Sequence, residues 1–174
     1  MTRAKLLQPD LVLGNTILHL SPQILQKHQL QGLVLDVDET LVSFRQTDVS
    51  PELQTWVETI RPILPVWLVS NNLSEARIGR IADSLGLPYL FGAAKPSRRK
   101  LRYALAEMKL PVASVAMVGD RLFTDVLAGN RLGMFTILVE PMVHPELPPK
   151  NLSLRDIEVW ISEKLGVTLN HSQH

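Results

Sequence analysis

The chain has 174 residues, 45% apolar and 20% charged, with a net charge of +1 and no cysteine. That is enough chain for one domain with a real core, and it excludes disulfide frameworks, thiol catalysis and thiolate metal sites. No apolar run approaches the roughly 20 residues of a membrane span, no signal-peptide pattern opens the chain, and the near-neutral charge selects no partner by its field. A cytoplasmic protein is expected.

In chain order, residues 1–30 are Leu-rich but irregular, broken by Pro9, Gly14 and Pro22. They are expected to form an N-terminal segment packed on the domain, with a short helix near Pro22–His28 capped by Ser21. Gly32-Leu33-Val34-Leu35 reads as a buried parallel strand ending in carboxylates. Ser50-Pro51-Glu52 starts a helix that carries Leu53, Trp56, Val57 and Ile60 at helical spacing. Val66–Val69 is a second strand, ending in Ser70-Asn71-Asn72. A helix from about Ser74 places Ile78, Ile81, Ala82 and Leu85 on one face and stops at Gly86.

The alternation continues with a brief strand at Tyr89–Phe91, then Lys95-Pro96 and a helix carrying Leu101, Leu105 and Met108. Val115–Val118 is a strand ending in Gly119-Asp120. A helix runs through Val126, Leu127 and Leu132 to Gly133, and Phe135–Val139 is one more strand. Residues 140–151 read as a Pro-rich loop. Leu154, Ile157, Ile161 and Leu165 suggest a last amphipathic helix, and 166–174 is expected to be a flexible tail. Strand–helix alternation with short connections predicts an α/β fold: a three-layer, Rossmann-like, mostly parallel sheet with helices on both faces, over residues 31–165. Ligands bind such sheets at the C-terminal strand edge, and every polar cluster in the chain falls there.

Asp36 and Asp38 leave the first central strand two residues apart. Two carboxylates this close repel, and Mg²⁺, which takes hard oxygen ligands, would relieve them. One is then suited to nucleophilic attack and the other to proton transfer, although a turn-capping Asp pair has the same residues. Asp120 and Asp125 repeat the pattern one strand over, where turn chemistry and a helix dipole are the plainer accounts. Ser70 and Asn71 can donate to phosphate oxygens or simply cap a helix. Lys95 can neutralise a phosphoryl group or be an ordinary surface lysine. The five histidines show no ligand pattern.

These four clusters, in this order, resemble the haloacid dehalogenase (HAD) superfamily. Its D-x-D-x-T motif matches Asp36-Val37-Asp38-Glu39-Thr40. Its strand-terminal Ser or Thr matches Ser70, its Lys matches Lys95, and its acidic cluster matches Gly119-Asp120 and Asp125. The resemblance implies a Mg²⁺-dependent phosphomonoester hydrolase working through an aspartyl-phosphate. Asp36 would be nucleophile and metal ligand, and Asp38 the acid/base that lends the metal a main-chain carbonyl. Thr40 would orient the loop beside the substrate, Ser70, Asn71 and Lys95 would hold phosphate, and Asp120 and Asp125 would serve the metal.

The short span between Asp38 and Ser70 leaves no room for the large cap domain many members carry, so the site should be open. Within the superfamily the chain is similar to the YqeG-type branch of capless subfamily III, related to phosphatidylglycerophosphate phosphatases, through Ala94-Lys95-Pro96 and the stretch Val118–Asn130. A phosphate ester is therefore the expected partner. One form is a lipid phosphate at a membrane surface, met by the basic cluster Arg98, Arg99 and Arg102 and by peripheral attachment. A soluble sugar phosphate or nucleotide is the alternative, with oligomerisation enclosing the site. A non-catalytic binding module on the same fold is a second alternative, and no nucleic-acid partner is expected.

Overall fold

The computed structural model describes residues 3–44, 46–142, 158, 163 and 166–169. Six strands form one sheet: β1 (Leu11–Val12), β2 (Gly32–Leu35), β3 (Val66–Val69), β4 (Tyr89–Leu90), β5 (Val115–Gly119) and β6 (Phe135–Leu138). Their order is β1-β6-β5-β2-β3-β4, and every pairing is parallel. β2 and β5 lie side by side at the centre and are buried along their whole length. That is why they read as unbroken apolar runs: a parallel strand covered on both faces has no solvent side to mark with polar residues.

Between residues 3 and 142, six α-helices are described: α1 (Arg3–Leu7), α2 (Pro22–Lys27), α3 (Pro51–Ile60), α4 (Glu75–Leu85), α5 (Arg99–Met108) and α6 (Leu127–Leu132). Side chains alternate across β2. Leu33 and Leu35 join the core beneath α3 and α4, with Leu53, Trp56, Ile78 and Ile81. Val34 enters the other core with Leu101, Ala104 and Ala128 of α5 and α6. Local chemistry sets the helix ends. The Ser50 and Ser74 hydroxyls accept the N3 amides of α3 and α4 at 3.2 and 3.3 Å, and Gly86 ends α4 in the left-handed region at φ 64°.

Residues 1–30 do more than pack on the domain, because Leu11–Val12 becomes the edge strand β1 beside β6. A two-residue strand carries no period to read. Side chains fix it instead: the Asp10 carboxylate accepts both the amide and the hydroxyl of Thr136, and Asn130 donates to the Leu6 and Gln8 carbonyls. The helix expected through Val126 begins as a wide π turn, Leu122–Val126, before α6.

The last amphipathic helix (Leu154, Ile157, Ile161, Leu165), most of the Pro-rich loop and the 170–174 tail lie outside the described residues. Among the described residues, α3 is the only helix between β2 and β3, so no inserted domain covers the strand edge. No helix of the described residues is long and apolar enough to cross a membrane.

Candidate active site

The chain runs from β2 outward to β3 and β4 on one side, then returns to β5 on the other. Adjacent strand ends therefore diverge at β2 and β5, and the loops there leave a crevice. Asp36 directly follows β2, its amide still bonded to the Val118 carbonyl of β5 at 2.9 Å. Asp120 directly follows β5. Asp125 comes back to the same point from the π turn, a form of helix common at functional sites. Gly119 permits that return, since a Cβ on it would collide with the Asp125 carboxylate.

Asp36, Asp120 and Asp125 are all buried, and one carboxylate oxygen of each lies within 4.8 Å of the others. Lys95, only 4% exposed, reaches them from the loop after β4. Its Nζ is 2.6 Å from Asp36 Oδ1 and 2.8 Å from Asp125 Oδ1. The Thr40 hydroxyl donates to Asp120 Oδ1 at 3.1 Å.

Electrostatics follow from this crowding. Burial pushes the Asp36 carboxyl up to about 7, against the pull of Lys95 beside it. Burial, with Asp125 and Asp36 behind it, pushes Asp120 up to about 8. For Lys95 the balance is reversed: burial lowers its pKa, but Asp125 and Asp36 together outweigh burial and raise it. One ammonium facing three carboxylates leaves two formal negative charges unbalanced in a buried site. An all-oxygen set of buried carboxylates short of two positive charges fits Mg²⁺, which would favour ionised Asp36 and Asp120.

Asp38 is placed differently. Its carboxylate lies outside the acidic trio, with Oδ1 2.6 Å from Arg77 Nη1, and with Oδ2 accepting from Asn72 Nδ2 at 3.2 Å and from the Ser70 hydroxyl at 3.4 Å. The structure thus separates a metal-type cluster from a carboxylate that faces the strand-β3 loop.

The side chains of Thr40 and Asn71 are engaged with other site residues. Thr40 is fully buried, with its hydroxyl committed to Asp120. The Asn71 carboxamide grips the main chain of Lys95 at both ends: Oδ1 accepts the Lys95 amide at 2.6 Å, and Nδ2 donates to the Lys95 carbonyl at 3.0 Å. Both residues position other site groups. Of the basic cluster, Arg98 bonds the Arg131 carbonyl, and Arg99 and Arg102 are exposed.

Sequence reasoning missed Arg77 and Asn72 as partners of Asp38. A signal for Arg77 existed: a cation at the third position of a helix opposes the helix dipole, and a local rule broken beside a functional edge marks a functional residue.

Comparison with known proteins bears on this arrangement. The chain is 36% identical over 139 residues to Probable phosphatase YqeG of Bacillus subtilis, covering 79% of this chain and 80% of that protein. It is 25% identical over 157 residues to phosphatidylglycerophosphate phosphatase 1, chloroplastic/mitochondrial, of Arabidopsis thaliana, covering 82% of this chain and 45% of the relative. The corresponding chloroplastic protein of Chlamydomonas reinhardtii is 29% identical over 156 residues, covering 84% and 58%. The chain therefore spans about half the length of the plant and algal relatives. The HAD-hydrolase-like family model matches residues 92–145. An uncharacterized protein from Listeria monocytogenes serotype 4b shares the fold at TM-score 0.54 and 15% identity, over 78% of this chain and 99% of that one. A hypothetical protein from Xanthomonas campestris does so at 0.52 and 19%, over 86% and 76%.

Proposed function

We propose, from the premise that this chain belongs to the haloacid dehalogenase superfamily of phosphatases, that it hydrolyses a phosphomonoester by passing the phosphoryl group through Asp36 with the help of Mg²⁺. We propose further that the ester is a lipid phosphate of the phosphatidylglycerophosphate type. The observation that carries the chemistry is the convergence of Asp36, Asp120 and Asp125 within 4.8 Å, with Lys95 wedged against two of them.

In this reading Asp36, Asp120 and Asp125 would hold Mg²⁺, and the Asp38 main-chain carbonyl would be a further donor. Bound there, the ion would screen the negative charge that otherwise keeps a carboxylate and a phosphate apart. An Asp36 carboxylate oxygen attacks phosphorus as the ester oxygen departs, and Asp38 gives that oxygen a proton. Water then attacks the phosphorus of the aspartyl-phosphate, Asp38 takes the water's proton, and the bond between phosphorus and the Asp36 oxygen breaks to release inorganic phosphate. With substrate bound, the Ser70 hydroxyl would turn from Asp38 Oδ2 to a phosphate oxygen, and Lys95 offsets the charge that gathers during transfer. Asn71 fixes the backbone of Lys95, and Thr40 fixes Asp120.

The lipid assignment rests on three supports: the names of the plant and algal relatives, the lack of a domain inserted between β2 and β3 over the strand edge among the described residues, and the rim beside Asp38. Phe44 and Leu73 on that rim are 58% and 84% exposed. Leu73 follows the Asn72 that holds Asp38, and the Phe44 ring stacks near the Arg77 guanidinium at 5.9 Å. Large apolar side chains left in solvent beside a phosphate site suit an ester embedded in a lipid surface. The test is phosphate release from phosphatidylglycerophosphate in vesicles, with Mg²⁺ and with EDTA, beside a soluble aryl phosphate. Release from the lipid that stops in EDTA is expected. Turnover of the soluble ester alone would remove the lipid assignment and leave the phosphatase.

A further inference from the structure

We infer that Arg77 is a positioning residue for phosphoryl transfer: it fixes the Asp38 carboxylate toward the leaving group and pins the loop that follows β2 to the start of α4. The inference rests on the proposed role of Asp38 as proton donor and adds a residue to which no role has yet been given.

The geometry is specific. Arg77 stands in the first turn of α4, its amide bonded to the Ser74 hydroxyl that caps the helix. One guanidinium nitrogen, Nη1, donates to Asp38 Oδ1 at 2.6 Å. The other, Nη2, donates to two main-chain carbonyls of the loop, Ser43 at 3.1 Å and Gln46 at 2.9 Å. A planar fork with donors at fixed angles can hold a carboxylate and two carbonyls at once, whereas a lysine offers a single point of charge. The arginine side chain is only 13% exposed, so the fork is held in place.

The loop is also closed from within. Its amides at Leu41 and Val42 bond the Val37 carbonyl, Glu39 bonds the Val42 carbonyl at φ 66°, and the Glu39 carboxylate takes the Phe44 amide. Asn72 and Ser70 tie Asp38 to the strand-β3 side of the site, and Arg77 adds the tie from α4, to Asp38 and to the loop main chain at Ser43 and Gln46.

What Arg77 leaves undone on Asp38 is as informative as what it does. A carboxylate has about four acceptor positions. Before substrate binds, Arg77, Asn72 and Ser70 occupy three. One remains to exchange a proton with the ester oxygen and then with water. Without Arg77 the carboxylate is held at Oδ2 alone and can turn about that point, and the loop carrying it loses its anchor to α4. Misplacing a proton donor by about 1 Å costs on the order of 100-fold in rate.

The readout is dependence on the leaving group. An alkyl phosphate needs a proton on its departing oxygen, and a p-nitrophenyl phosphate scarcely does. Arg77→Met is expected to lower kcat for the alkyl ester by about 100-fold and for the aryl ester by no more than about threefold, with KM little changed. Arg77→Lys, which keeps the charge and loses the fork, is expected between Met and native. Arg77→Met combined with Asp38→Asn should cost no more than Asp38→Asn alone, because both remove the same proton transfer.

An equal loss on both esters would overturn the inference and mark Arg77 as structural, and so would full additivity in the double variant. A Mg²⁺ titration of Arg77→Met checks that the acidic trio stays assembled: unchanged affinity is expected, and a loss of binding would overturn the assignment. Failure of the underlying reading looks different, since Asp36→Asn would then leave aryl phosphate turnover intact.

Discussion

Replacing Lys95 with Met keeps the length and volume of the side chain and removes only its charge. The consequence follows from the distances. Lys95 Nζ sits 2.6 and 2.8 Å from two carboxylates, and its side chain is 1% exposed. At an effective dielectric constant of about 20, each contact supplies about 6 kcal/mol of attraction. Stripping water from the ammonium and the acids opposes most of that, and removing one partner of a buried pair costs about 3–5 kcal/mol in practice. With a urea dependence of about 2 kcal/mol per molar, the unfolding midpoint in EDTA should fall by roughly 2 M. Mg²⁺ should raise the midpoint of Lys95→Met more than that of the native chain, because the variant holds three buried carboxylates and no internal cation. Urea titrations followed by circular dichroism, with and without Mg²⁺, measure both effects. A variant that unfolds within about 0.3 M of native in EDTA would refute the reasoning, since the acids would then be indifferent to their countercharge.

Asp36→Asn should abolish phosphate release from every ester, yet unfold in EDTA at pH 8 at no lower urea concentration than native, because it removes a repelling charge; residual turnover near the native rate would refute the assignment. Metal-free protein should become less stable as pH rises. Asp36 and Asp120 titrate near 7 and 8 when folded and near 3.8 in an unfolded chain. Between those limits the folded state holds protons the unfolded state has released, so stability declines by up to about 1.4 kcal/mol per pH unit for each group. The loss begins above about pH 4 and is complete once the folded pKa values are passed. Urea midpoints in EDTA from pH 5 to 8 measure it against Asp120→Asn, whose slope should be shallower; equal slopes would sink the argument. Gly119→Ala should cost about 1–3 kcal/mol and weaken Mg²⁺ binding in calorimetric titration, because its methyl group needs the space of the Asp125 carboxylate; native affinity would contradict that packing.

The sequence carried the sheet well because β2, β3, β5 and β6 are buried apolar runs, each followed by a turn or helix-start signal. It carried the acids well because a carboxylate at the end of such a run is already at the edge where strands diverge. It carried connections poorly. The edge strand β1 owes its place to the Asp10, Thr136 and Asn130 side chains, which lie up to 126 residues apart. Ser70 and Asn71 looked alike as phosphate donors, yet one bonds Asp38 and the other clamps the backbone of Lys95. Whether a polar side chain faces substrate or a neighbouring loop depends on loop packing, which local spacing does not encode. Arg77 was missed as well, although its clash with the helix dipole left a signal in the sequence.

The distribution of contacts also explains how four short loops from separate strands can hold one geometry. Each loop is fixed by a neighbour. Asn71 after β3 holds Lys95 after β4. Lys95 holds Asp36 after β2 and Asp125 after β5. Thr40 after β2 holds Asp120 after β5, and Arg77 on α4 returns to Asp38 and the β2 loop. Removing any one link exposes a buried charge or frees a loop, so the links should show strong coupling in double variants. The acids are placed against their own repulsion by this ring of contacts, and the repulsion that Lys95 leaves unbalanced is what a bound metal ion would relieve. A site assembled in this way would gain affinity for a divalent metal ion because the protein has already brought the carboxylates together, and their repulsion in the metal-free state is the physical basis of that gain.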